Sequence, residues 1–112
     1  MKGTHLGEFE ELVLLVVASL YDEAYGVAVK KHIQEQAGRS VTLSTVHSAL
    51  HRLQEKGFLD SRFGEASNSR GGKRKKIFTI TAYGKKALQD AREMRDSLWN
   101  SIPKIVFEIK PT

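Results

Sequence analysis

The chain contains no cysteine. A disulfide scaffold, a thiolate zinc site and a cysteine nucleophile are thereby excluded, and the composition is compatible with a reducing cytosol. Long apolar stretches are missing as well. The longest, Leu12 to Ala18, falls far short of the about 20 residues that a membrane helix needs and reads as a buried helix. The first residues run into Glu8, Glu10 and Glu11 with no small-residue cleavage pattern, so no secretory signal is read and the expected location is the cytoplasm. There are no internal repeats, and 112 residues leave room for one core but not two.

Residues that could carry chemistry are equally sparse. Spacing assembles no carboxylate pair, no Ser-His-Asp set and no lysine in an apolar pocket, so an enzyme is not expected. His47 and His51 stand four apart on one helical face, as half of a metal site does. The zinc-protease pattern requires a Glu directly after the first His, where Ser48 stands, and no third ligand is near. Gly71-Gly72-Lys73-Arg74 resembles a phosphate-cradling loop only in part. Arg74 occupies the place of the required Ser or Thr, and the segment leads into a strand instead of a helix. No metal and no cofactor are expected.

What the chain does have is positive charge in one place. The net charge is +5. Between Arg62 and Lys76 lie six basic side chains (Arg62, Arg70, Lys73, Arg74, Lys75, Lys76) and one acid, Glu65, so this stretch alone accounts for the whole excess. A neutral body with one basic loop points to a polyanionic partner met at a defined place, or else to a solvated charged loop.

Apolar periodicity supplies the organisation. Phe9, Leu12, Val13, Val16, Val17 and Leu20 predict a helix over Glu8 to Tyr21, and Leu14 and Leu15 extend its apolar face almost all the way round. A second helix is expected from about Tyr25 to Gln36, burying Val27, Val29 and Ile33 and ending at Gly38. Arg39 to Leu43 alternates polar and apolar residues and suits a strand of one pair. A third helix opens at Ser44, with Thr42 the other candidate cap, and runs to about Lys56. Val46, Ala49, Leu50 and Leu53 form its narrow apolar stripe. Its opposite face carries Thr45, His47, Ser48, His51 and Arg52, with no carboxylate before Glu55. Such a helix can anchor on a core and lay a non-acidic polar face on base edges.

Two short segments rich in aromatic and β-branched residues follow, Phe58 to Phe63 and Lys76 to Ile80, joined by the turn formers of residues 64–72. Helix, turn, helix and basic hairpin is the winged-helix order. A final helix is expected from Thr81 to about Ser101, stopped by Pro103. Ala87, Ala91, Met94, Leu98 and Ile102 run along it as a seam of helix-to-helix type, which Trp99 flanks. The tail from Lys104 alternates Ile105, Phe107 and Ile109 and is compatible with a strand, a packed arm or disorder.

In order and spacing, these residues resemble the PadR family of bacterial transcriptional regulators. The stretches that carry the resemblance are Leu6-Gly7-Glu8-Phe9-Glu10, Ala24-Tyr25-Gly26, Ser48 through Leu59, Gly71-Gly72-Lys73-Arg74-Lys75-Lys76 and Ile80-Thr81-Ala82-Tyr83-Gly84. The chain departs from the family at His47-Ser48, where Tyr-Pro is usual, and at Ile77-Phe78, where two tyrosines are usual. Its short C-terminal region resembles the compact branch. The resemblance implies a winged helix whose C-terminal helix builds a two-fold dimer, most often a repressor, and in some members a site for aromatic or flat apolar effectors.

The expected fold is therefore mainly α with a small β-hairpin: a winged helix-turn-helix over residues 1–80, a dimerisation helix over 81–102 and a tail over 103–112. The expected function is sequence-specific binding of double-stranded DNA at an inverted-repeat operator by a homodimer. Ser44, Thr45, His47, Ser48, His51 and Arg52 would read sequence, with Thr42 also at the DNA, and Arg70, Lys73, Arg74, Lys75 and Lys76 would lie over phosphates or in the adjacent minor groove. The dimer contact would use Phe9, Val13, Ala87, Ala91, Met94, Leu98, Trp99 and Ile102, with Trp99 either packing there or stacking on a small apolar or aromatic effector. The rival expectation is a winged-helix adaptor whose basic loop meets an acidic protein. A face of the third helix free of acids favours DNA.

Overall fold

A computed structural model describes residues 5–66 and 74–110. Helix α1 spans Glu8–Leu20. Its start is fixed by Glu10, whose carboxylate accepts the Gly7 N–H at 2.9 Å, and three acids in the first turn suit the positive end of the helix dipole. A 3-10 turn, Tyr21–Glu23, leads to α2, Gly26–Ala37. Gly38 ends α2 at φ 60°, in the left-handed region that favours glycine. Helix α3, Leu43–Glu55, is capped by Thr42, whose hydroxyl accepts the Thr45 N–H at 3.1 Å.

Strands β1 (Leu59–Ala66) and β2 (Arg74–Ile80) form an antiparallel pair in register from Leu59 opposite Ile80 to Phe63 opposite Lys76, with an irregularity before Ala66 opposite Arg74. Helix α4, Ala82–Asn100, starts at Thr81. That hydroxyl accepts from the Gly84 N–H at 3.0 Å and donates to the Gly57 carbonyl at 2.7 Å, so the start of α4 is pinned to the end of α3. A short α5, Lys104–Glu108, follows Pro103.

One apolar core joins these elements. Val13, Leu14, Val16 and Val17 of α1 meet Val29 and Ile33 of α2, the whole Val46-Ala49-Leu50-Leu53 stripe of α3, Phe58, Leu59 and Phe78 of the hairpin, and Ala87 of α4. Full burial of each leucine or isoleucine contributes about 1.5–3 kcal/mol, which locks the exposed face of α3 in one orientation. Beyond Ala91 the core ends, and every residue of α4 from Arg92 to Asn100 is exposed. The projecting helix makes the molecule 59 Å long, with a radius of gyration of 17.1 Å against about 13 Å for a compact domain of similar size.

Several expectations are corrected. Val27 lies on the outside of α2, 53% exposed, because burial of Gly26, Val29 and Ile33 turns the core-facing side away from it. Residues 39–42 form no strand. Instead, Tyr25 makes an isolated bridge to Ile77. The tail folds as α5, with Ile105, Val106, Phe107 and Ile109 all exposed. Val13 and Ala87, expected at a dimer contact, are fully buried in the chain's own core and are not on its surface.

Candidate nucleic-acid interface

The outward face of α3 is polar from Ser44 onward. The Thr42, Ser44 and Thr45 hydroxyls cluster at its start, with the Thr42 oxygen 2.8 Å from that of Thr45 and 3.2 Å from that of Ser44. His47, Ser48, His51 and Arg52 are exposed. The imidazole of His47 lies against the start of α2. A Cβ on Gly26 would fall 2.6 Å from its Cε1, so only a residue without a side chain lets it rest there.

At the far end of α3 the basic residues converge on one buried acid. Lys56 Nζ lies 2.9 and 2.8 Å from the two Glu10 oxygens, and Arg52 Nε lies 3.6 Å from the second of them. Arg52 thus divides its guanidinium between solvent and this anchor. Burial pushes the Glu10 carboxyl up, but the Lys56 ammonium, the Gly7 N–H and Arg52 together outweigh it and hold the group below its ordinary range. Glu10→Ala is expected to cost about 1–3 kcal/mol at neutral pH, through removal of the ion pair and helix cap. Because the folded-state pKa is depressed, this contribution is present above the ordinary carboxylate range of about 4 and fades as pH falls below it. Urea unfolding of both proteins at pH 7 and near pH 3 should show the difference between them shrinking in acid.

The hairpin brings a second set of cations to the same region. Arg62, Arg74 and Lys75 are exposed and Lys76 is half-buried. Arg70 and Lys73 lie outside the described residues. The base of the hairpin is stitched to the start of α2, since the Phe78 N–H donates to the Ala24 carbonyl at 2.8 Å and Tyr25 bridges Ile77. Lys75 Nζ sits 4.1 Å from the centroid of the Tyr25 ring, and Lys76 Nζ sits 5.5 Å from that of Phe78. Sequence patterning does not place Tyr25 beside the wing, because Lys75 and Ile77 are some fifty positions away along the chain.

A third surface is apolar. Met94, Leu98, Trp99 and Ile102 line an open cleft of about 690 Å³ with Arg95, Asp96 and Ser101. The Trp99 ring meets Phe107 of α5 at 5.5 Å between centroids. Arg95 forks onto Glu11 at 3.1 and 2.9 Å, which ties the middle of α4 to α1. Ala91 is half-buried, and Phe9 is half-buried under the Arg39 guanidinium at 5.2 Å. Among the described residues no cluster of His, Asp and Glu has the makings of a metal site, and no helix is long and apolar enough to cross a membrane.

Residues 13–90 match the Transcriptional regulator PadR-like family. No curated protein matches the sequence. Among solved structures, a PadR family transcription regulator from hypervirulent Clostridium difficile is 23% identical, with a TM-score of 0.67 over 84% of this chain and 93% of that one. A PadR-like transcription factor from Bacteroides fragilis is 22% identical, with a TM-score of 0.70 over 83% and 84% of the two chains. Bacillus subtilis PadR in complex with operator DNA is 20% identical, with a TM-score of 0.62 over 93% of this chain and 51% of that longer one. At these identities the structural likeness establishes a shared winged-helix fold.

Proposed function

The chain belongs to the PadR-like family of transcriptional regulators, and from that footing we propose that it acts as a repressor, binding an inverted-repeat operator as a homodimer. The observation that carries this reading is the alignment of two polyanion-ready elements on one core. Helix α3 presents Ser44, Thr45, His47, Ser48 and His51, backed by a fully buried stripe. Beside it the hairpin supplies Arg74, Lys75 and Lys76. In a winged helix so arranged, α3 enters the major groove and reads base edges while the wing meets phosphates or the adjacent minor groove. Arg52, partly engaged by Glu10, acts mainly to orient the end of α3. No catalytic role is assigned to any residue.

Residues 1–80 would then form the DNA-binding part, 81–102 the dimer helix and 103–112 a tail. The contact between subunits would be built from the exposed half of α4, where Met94 is 52% exposed and Leu98 and Trp99 are each 62% exposed. Ile102 and Ala91 would contribute at its edges and Phe9 at the α1 side, and the apolar exterior of the subunit would be covered by symmetry. The cleft beside Trp99 is where a small apolar or aromatic effector would sit. The protein would work in the cytoplasm, where its operator is.

Replacing Arg74, Lys75 and Lys76 together by Gln tests the wing. The fold should survive, since Arg74 and Lys75 are exposed and none of the three is fully buried. Affinity should fall to a similar degree on operator and on random duplex DNA. The slope of log affinity against log salt should shrink by up to about 0.9 for each phosphate that the wing no longer neutralises. An unchanged slope would show that the wing does not touch the backbone. A parent protein with no measurable duplex binding at low salt would favour an adaptor that meets an acidic protein.

A further inference from the structure

We propose that Tyr25, Lys75 and His47 form a subsite for one phosphodiester of the bound duplex, with the Tyr25 hydroxyl as a direct hydrogen-bond donor to it. The inference rests on the DNA-binding reading above and adds Tyr25 to the residues expected to face DNA. Its basis is a junction of three elements at positions 25 and 26. The β2 strand of the wing arrives through the Tyr25–Ile77 bridge. The α3 helix arrives through the His47 imidazole, which rests on Gly26. The α2 helix begins there.

Each polar group at this junction is unspent. Among the described residues the Tyr25 hydroxyl makes no hydrogen bond, although the ring is half-buried. Lys75 takes part in no ion pair among them. Its ammonium, 4.1 Å from the ring centroid, engages the face of the phenol and leaves the hydroxyl at the ring edge free. A phenol O–H and an ammonium with further donors, with the His47 imidazole resting on the next residue, Gly26, match an anion bearing several acceptor oxygens. The wing and α3 flank this spot and are the two elements that would follow the DNA backbone and groove, so a backbone phosphate between them is the anion that geometry offers.

The substitution Tyr25→Phe keeps the ring under Lys75 and removes only the donor, so the melting temperature should not move. Binding is measured by fluorescence anisotropy on the duplex enriched from a random pool. It is repeated on duplexes in which one phosphate at a time is replaced by a neutral methylphosphonate. Tyr25→Phe should weaken binding to the unmodified duplex about tenfold, as expected for one charge-assisted hydrogen bond. At one methylphosphonate position, parent and Tyr25→Phe should bind equally. Lys75→Gln should lose its deficit at the same position and show a salt slope smaller by about 0.9. Equal affinity of Tyr25→Phe and parent for the unmodified duplex overturns the subsite while leaving the DNA reading intact. So does a tenfold deficit that persists at every methylphosphonate position. If the parent itself binds no duplex, the DNA reading falls and takes the subsite with it.

Discussion

Leu98→Asp is expected to convert a dimer into a monomer and to lower affinity for an inverted-repeat duplex by a factor on the order of 100 to 10,000, the range over which linked binding of two half-sites exceeds binding of one. Leu98 stands on the part of α4 that its own core does not reach, 62% exposed, with Met94, Trp99, Phe107 and Ile109 also exposed nearby in sequence. A projecting helix with so much apolar surface is unfavourable in water. Burying each Leu98 would contribute about 1.5–3 kcal/mol, twice by symmetry. An aspartate at that position would place two uncompensated carboxylates between the subunits, each of which resists desolvation. Because the residue touches no part of the core, the winged helix should still fold as a monomer, its melting temperature falling only by what association contributed. Sedimentation velocity at micromolar concentration separates the outcomes. A monomeric parent, or a dimeric Leu98→Asp protein, would remove α4 as the interface.

The other large effect falls on the joint between the hairpin and α4. Gly84→Ala should destabilise the fold by about 3 kcal/mol, near the upper end of what overpacking usually costs, even though alanine is the better helix former by about 1 kcal/mol. A Cβ there would lie 2.3 Å from the Phe58 carbonyl oxygen and 3.1 Å from its carbon. Both belong to backbone that is itself held in place, for the Phe58 carbonyl accepts the Thr81 N–H at 3.0 Å. Neither side can yield without breaking the cap that starts α4. At Gly26 the obstruction would be an exposed imidazole that can swing away, so a clash there is relieved by one side chain. A thermal melt should place Gly84→Ala roughly 10–20 °C below the parent. A shift of only a few degrees would mean that α4 slides on Phe58 more freely than the close packing implies.

How far the sequence discloses this architecture depends on whether a signal is local. The stripe of α3, the glycine after α2 and the Thr81 cap are each written within a few neighbouring residues, and each is legible, whereas β1 runs on to Ala66 through residues that composition assigns to the turn. The winged-helix order follows from their succession. Val27 is misplaced by periodicity because helical spacing allows two nearby stripes, and only the position of α1 and α3 chooses between them. Val13 and Ala87 go to a partner on the same evidence, since periodicity reports that a face is buried but not by which chain. The alternation of Ile105, Phe107 and Ile109 suggests extended structure, yet Lys104–Glu108 forms a single short helix once Pro103 has ended the turn after α4. Tyr25 shows the limit most clearly. Its meaning comes from Ile77 and Lys75, which only the folded hairpin brings to it.

The central claim, that a symmetric pair of these winged helices reads a specific duplex, is tested most directly by selecting bound sequences from a random duplex pool. The account predicts enrichment of an inverted repeat whose half-sites lie about one helical turn, roughly 10 base pairs, apart, as two-fold related recognition helices require. Enrichment of a single unrepeated site would contradict the dimer, and a pool that stays random through successive rounds would contradict sequence reading by α3 altogether.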